Sequence, residues 1–165
     1  MDGGLDELAL HPGEKVTKGL DGLRERLAEY KALGAKFAKW RAVITIDENI
    51  PSEACIFANA HALARYAAAC QEAGIVPMVE PEVLIDGEHT IEQCYEATET
   101  TLEEVFEELQ HQGVTPEGTI LKASMVIAGK EAQRQSTPEE VADIVSRVQL
   151  DAFIASLPDG YDTIV

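Results

Sequence analysis

Strand-like and helix-like segments alternate along this chain with an almost constant period, and that alternation limits the possible folds more than any other feature. The run FAKWRAVI (Phe37 to Ile44) reads as a strand. After Pro51 and Ser52 comes an alanine-rich helical stretch that runs to about Ala73 and meets Gly74. VPMVE (Val76 to Glu80) is the next strand, and its helix opens on the capping-box sequence TIEQ at 90–93 and runs to about Gln112 and Gly113. GTILKASMV (Gly118 to Val126) is the third strand, and TPEE at 137–140 opens another helix with proline at its first position. A further helix is predicted over 18–33, where Leu20, Leu23, Leu27, Tyr30 and Leu33 recur at helical spacing before Gly34. Strands joined by helices lie parallel in one sheet, so the chain belongs to the α/β class.

The first strand carries two cations. Side chains two apart on a strand share a face, so Phe37, Lys39, Arg41 and Val43 point one way. Ala38, Trp40, Ala42 and Ile44 point the other way and form a packing surface. Two cations on a strand in the interior are costly unless something pairs them. The period supplies partners, because Lys39 to Glu80 is 41 residues and Glu80 to Lys122 is 42. Each strand therefore delivers an ionisable residue at a matching level. Lys39, Glu80 and Lys122 are expected to meet, with Arg41 one layer nearer the C-terminal ends of the strands, the catalytic end in parallel barrels.

Such a group is capable of chemistry. Burial and a second cation lower a lysine pKa, and a neutral lysine attacks a carbonyl to form a Schiff base. A carboxylate beside it can carry the protons that carbinolamine dehydration requires. Arg41 can hold a phosphate or a developing oxyanion. The same spacing also fits a buried ion-pair network that only fixes strand order, and the spacing alone does not choose between the two.

Composition removes several other classes. A chain of 165 residues with 45% hydrophobic content can bury a sizeable core and is not generally disordered. It has no apolar run near 18 residues to span a membrane, and MDGGLDELAL lacks the plan of a signal peptide. A net charge of −17 argues against broad nucleic-acid contact and suits an acidic cytoplasmic protein. Cys55, Cys70 and Cys94 make no close pair, and Cys55 and Cys70 read as buried free thiols within a helix. His11, His61, His89 and His111 are scattered, so neither a metal site nor a cofactor is expected.

At the charged strands the sequence resembles class I fructose-bisphosphate aldolase, the Schiff-base family. The matching blocks are GEKVTKGLDGLRERLAEYKALGAKFAKWRAVI, IPSEACIFANAHALARYAAACQEAGIVPMVEPEVLIDGEHTIEQCYE and EGTILKASMVIAGKE, which cover about residues 2–143. The resemblance implies a partial TIM (β/α)8 barrel of about three parallel strands with flanking helices. It implies a lyase acting on a sugar-phosphate substrate, with Lys122 forming the imine with dihydroxyacetone phosphate. By the same resemblance Glu80 handles protons, Lys39 supports the carbinolamine chemistry, and Arg41 lies near the substrate's phosphate end. Glu82 would orient its neighbours, while Arg65 reads as a surface or interface residue. The family also implies a homo-oligomer, a tetramer, in the cytoplasm.

The resemblance falls in the middle of the family's chain, so strands on both sides of it are expected to be missing. A unit of 41 to 42 residues repeated eight times needs about 330 residues, twice what is present. The tail VQLDAFIASLPDGYDTIV (Val148 to Val165) resembles a segment of an ABC transporter ATPase domain, without its P-loop or signature sequence. The expected organisation is a partial aldolase barrel over 1–145 and a separate tail over 146–165. The alternative to an active aldolase is a non-catalytic, truncated or chimeric fragment whose sheet edges stay open.

Overall fold

The computed structural model describes residues 1–147. The tail, Val148 to Val165, lies outside the described residues, so its reading as a separate segment meets no structural test. The elements run β1 (Leu5–Glu7), β2 (Lys15–Thr17), α1 (Leu23–Ala32), β3 (Phe37–Ile44), α2 (Glu53–Glu72), β4 (Val76–Val83), α3 (Ile91–His111), β5 (Ile120–Leu121) and α4 (Pro138–Arg147).

The three strands β3, β4 and β5 form one parallel sheet in that order. β3 and β4 pair along their whole length, from Phe37 opposite Val76 to Ile44 opposite Val83. Among the described residues, α1, α2 and α3 gather on one face. Trp40 and Val79 point to that face and are fully buried against Leu63, Tyr66 and Ala67 of α2 and Val105 and Leu109 of α3. The Trp40 and Tyr66 rings lie 5.3 Å apart in a tilted pair. Along β3 the alternation is as the sequence predicts: Ala38, Trp40, Ala42 and Ile44 are buried, while Phe37, Lys39 and Arg41 are exposed. Val43 is buried too, at the C-terminal end of the strand.

Helix starts follow the capping residues. The Ser52 hydroxyl accepts a hydrogen bond from Cys55 N at 3.1 Å, and Ser52 is itself held by the buried carboxylate of Glu14, through its N–H at 2.7 Å and its hydroxyl at 2.6 Å. Thr90 and Gln93 form a reciprocal capping box at α3. Thr137 and Glu140 do the same at α4, at 2.8 and 3.3 Å.

The structure departs from the sequence reading in three places. α1 begins at Leu23, not near residue 18, because Gly22 before it is left-handed and Gly19, with a positive φ, lies against Asp2 and Gly3 at the N-terminus. A Cβ on Gly19 would stand 2.6 Å from Gly3 N. The hairpin β1–β2 was not anticipated, since each arm has only three residues. It is anchored from outside, with Thr17 N donating to Asn59 Oδ1 at 3.3 Å and Asn59 Nδ2 donating to Lys15 O at 2.8 Å. Its Thr17 hydroxyl donates to Arg41 O at 2.7 Å, which covers the outer edge of β3. The third strand is also shorter than Gly118 to Val126. Only Ile120 and Leu121 pair, with Met78 and Val79, and one more bond runs from Lys122 N to Val79 O at 2.9 Å. A strand with no second neighbour among the described residues has little to hold it extended, and the segment after Lys122 is tied down farther on, at 129–131.

Candidate active site

The sheet face opposite the helices carries the charged residues in rows set by register. β3 and β4 place Lys39 beside Met78, Arg41 beside Glu80, and Val43 beside Glu82. Since Met78 pairs with Ile120, Lys122 stands level with Glu80. Arg41, not Lys39, therefore shares the Glu80–Lys122 row, which corrects the expectation that Arg41 sits one layer above the trio.

The side chains still bring Lys39, Glu80 and Lys122 together, because the β3 cations lean one row upward. Lys39 Nζ stands 2.7 Å from Glu80 Oε2. Lys122 Nζ donates to Glu80 Oε1. The Glu80 side chain is 3% exposed, whereas those of Lys39 and Lys122 are 47% and 56% exposed. A buried carboxylate thus sits between two half-exposed ammonium groups. Burial raises the carboxyl pKa of Glu80, but the bonds from Lys122 and Lys39 outweigh it and hold that pKa below the ordinary value.

Lys122 overturns a sequence expectation. Burial beside Lys39 was expected to lower its pKa. The ammonium is instead open to solvent, and its hydrogen bond to Glu80 raises the pKa, so the proton is held more tightly than on a free lysine. Arg41 differs as well. Its Nε donates to Glu82 and its pKa is raised, first by that bond. A carboxylate thus already occupies the guanidinium that was read as a phosphate or oxyanion ligand. Glu82 is the carboxylate paired with Arg41. Arg65 is exposed on α2, as expected of a surface residue.

Sequence reasoning passed over several residues that shape this end of the sheet. Glu14 and Asn59 are 2% and 1% exposed and tie the hairpin and the segment before α1 to α2 and its start. His89 is 5% exposed where the β4–α3 connection meets the segment after β5. Its only sequence signal is its place just before the Thr90 cap. Cys55, Cys70 and Cys94 are buried free thiols, and burial pushes the first two up to about 11. Among the described residues, no cluster of His, Cys, Asp or Glu could hold a metal ion, and no helix is long and apolar enough to cross a membrane.

Comparison with known proteins follows the same residues. The family described as Fructose-bisphosphate aldolase class-I matches residues 1–158. A probable fructose-bisphosphate aldolase class 1 of Xanthomonas campestris is 66% identical over 143 residues, 87% of this chain and 43% of that protein. Human fructose-bisphosphate aldolase C is 50% identical over 142 residues, 86% of this chain and 39% of that protein. The Plasmodium falciparum fructose-bisphosphate aldolase, solved in complex with TRAP and a small-molecule inhibitor, superposes with a TM-score of 0.85 at 46% identity, over 88% of this chain and 43% of its own. The chain thus spans less than half the length of these relatives.

Proposed function

The chain belongs to the class I fructose-bisphosphate aldolase family, and on that premise we propose that its charged sheet face performs the family's Schiff-base lyase chemistry. The overall reaction is the reversible cleavage of fructose 1,6-bisphosphate into dihydroxyacetone phosphate and glyceraldehyde 3-phosphate. The observation that carries the reading is the buried Glu80 carboxylate between two half-exposed lysines.

That arrangement supplies a proton balance. The ammonium proton of Lys122 passes along its hydrogen bond to Glu80, leaving a neutral amine and a neutral carboxylic acid. The amine attacks the ketone carbon of dihydroxyacetone phosphate to give a carbinolamine. Glu80 then protonates the carbinolamine hydroxyl, which leaves as water, and an iminium remains on Lys122. Lys39 stabilises the regenerated carboxylate. Arg41 takes the phosphate end once that anion competes with Glu82 for the guanidinium.

A second reading, a non-catalytic fragment, has its own support. Among the described residues the sheet has three strands, and Lys39 and Lys122 remain half exposed on the face that should enclose substrate. Desolvation and fixed orientation supply much of a lyase's rate, and an open face supplies little of either. In this proposal the aldolase part is 1–145 and the tail 146–165 is separate and similar to an ABC ATPase segment, although the family match reaches residue 158. Homotetramer assembly and a cytoplasmic location come with the family reading, and the edge of β5, which has no further strand beside it among the described residues, offers a surface for association.

The test is dihydroxyacetone phosphate with borohydride, followed by peptide mass spectrometry, alongside a coupled assay for fructose 1,6-bisphosphate cleavage. The lyase reading expects an adduct at Lys122 that disappears in Lys122→Met. Labelling spread evenly over the exposed lysines overturns it. A specific adduct without turnover marks a retained half-site and favours the fragment reading.

A further inference from the structure

The segment that follows Lys122 is not held by a strand ladder, so something else must fix it. It is fastened at its far end to the β4–α3 connection. Gly129 N donates to His89 O at 2.9 Å, Lys130 N to Ile85 O at 2.8 Å, and Glu131 N to Gly87 O at 3.0 Å. Gly87 N donates to the Glu131 carboxylate, and Lys130 Nζ pairs with Asp86 at 3.1 Å. Both segments lie beyond the C-terminal ends of their strands, where parallel barrels place their sites.

His89 lies at this crossing. Its ring nitrogens are buried, and neither has a hydrogen-bond partner among the described residues. The ring packs against two glycines. Its Nδ1 stands 3.1 Å from where a Cβ on Gly129 would be and 3.8 Å from the same position on Gly87. The Gly129 position is closed to any side chain, since its Cβ would be 2.1 Å from Gly87 O. A neutral ring fits this gap, whereas an imidazolium there would bury two N–H donors and a charge. The charged groups around it are Glu131 and the Lys130–Asp86 pair on the crossing itself, with Asp47, Glu48 and Glu88 around a shared cavity of about 440 Å³.

We propose that His89 is a positioning residue for the segment that follows Lys122: its neutral ring wedges the two connections together, and protonation withdraws it toward the surrounding carboxylates and releases the crossing. Burial holds its pKa below the ordinary imidazole range, against the pull of Glu131, so the wedge is in place at neutral pH. The consequence for chemistry at Lys122 rests on the imine reading, whereas the release of the crossing does not.

The test is amide hydrogen exchange in the full chain at pH 7 and pH 5, corrected for intrinsic exchange and compared with His89→Leu. Leucine fills a similar volume, cannot take a proton and sacrifices no hydrogen bond. The protection of Gly129, Lys130 and Glu131 is expected to fall about tenfold or more in the wild type and to stay within about twofold in the variant. An NMR titration of His89 should have its midpoint where that protection is lost. Equal loss of protection in both proteins, or a ring midpoint that does not coincide with it, overturns the proposal. If His89→Leu does not fold, the coincidence of midpoints in the wild type decides alone. Borohydride trapping at Lys122 should slow more steeply between pH 7 and pH 5 in the wild type than in the variant. Exchange that behaves as expected without any trapping removes the imine reading and leaves the wedge standing.

Discussion

Replacing Glu80 with glutamine separates two things the carboxylate does. It holds the Lys122 ammonium, and in the proposed reaction it also delivers the proton that lets water leave. An ordinary lysine, with a pKa of about 10.4, is neutral in only about 4 molecules per 10,000 at pH 7. Because Glu80 raises the Lys122 pKa, the neutral fraction there lies below that ceiling. Glu80→Gln keeps the shape and removes the charge, so the fraction should rise. Competitive acetylation across a pH series, with peptide mapping, reads this directly, using the exposed Lys36 as the internal reference. Below its titration midpoint each lysine should gain about tenfold in rate per pH unit. In the wild type Lys122 should lag Lys36 at pH values below its midpoint, and in Glu80→Gln that lag should shrink. Borohydride trapping with dihydroxyacetone phosphate should move the other way and slow, because glutamine cannot give up a proton. Acetylation of Lys122 unchanged by the substitution would refute the ion pair as drawn. Acetylation and trapping that rise together would refute the proton-delivery role of Glu80.

Gly129→Ala should force the crossing apart, since its Cβ would meet Gly87 O at 2.1 Å; a destabilisation of about 1–3 kcal/mol in a urea titration is the expected scale of such overpacking. Trp40→Ala removes a fully buried ring from between the sheet and α2 and should cost about 3–5 kcal/mol by the same measurement, with a small loss arguing against the packing of this face. The Glu108 carboxyl is held below its ordinary range, first by His61, whose Nδ1 is 2.6 Å away. A depressed carboxyl pKa adds stability above the unfolded value of about 4.3 that is lost as pH falls through the folded value. The thermal midpoint of Glu108→Gln should therefore vary less with pH across the acid range than that of the wild type, and parallel curves would count against the pair.

Local signals were enough to locate most elements. The face pattern of Phe37–Ile44, the caps at Ser52, Thr90 and Thr137, and the 41- and 42-residue steps from Lys39 to Glu80 to Lys122 all lie within a strand, a turn or a simple period. They are set by backbone alternation and by the orphan N–H groups of helix starts, which act over a few residues. Long-range contacts decided the rest. Register put Arg41, not Lys39, level with Glu80, and side-chain reach then restored the trio that period alone had suggested. The third strand shortened because a ladder needs neighbours, and the hairpin β1–β2 exists because Asn59, 42 residues beyond Thr17, holds its backbone. The charge state of Lys122 turned on whether its face is covered. A sequence shows which residues can share a face, but not what lies over that face, and here solvent and one carboxylate keep the lysine protonated where burial would have stripped it.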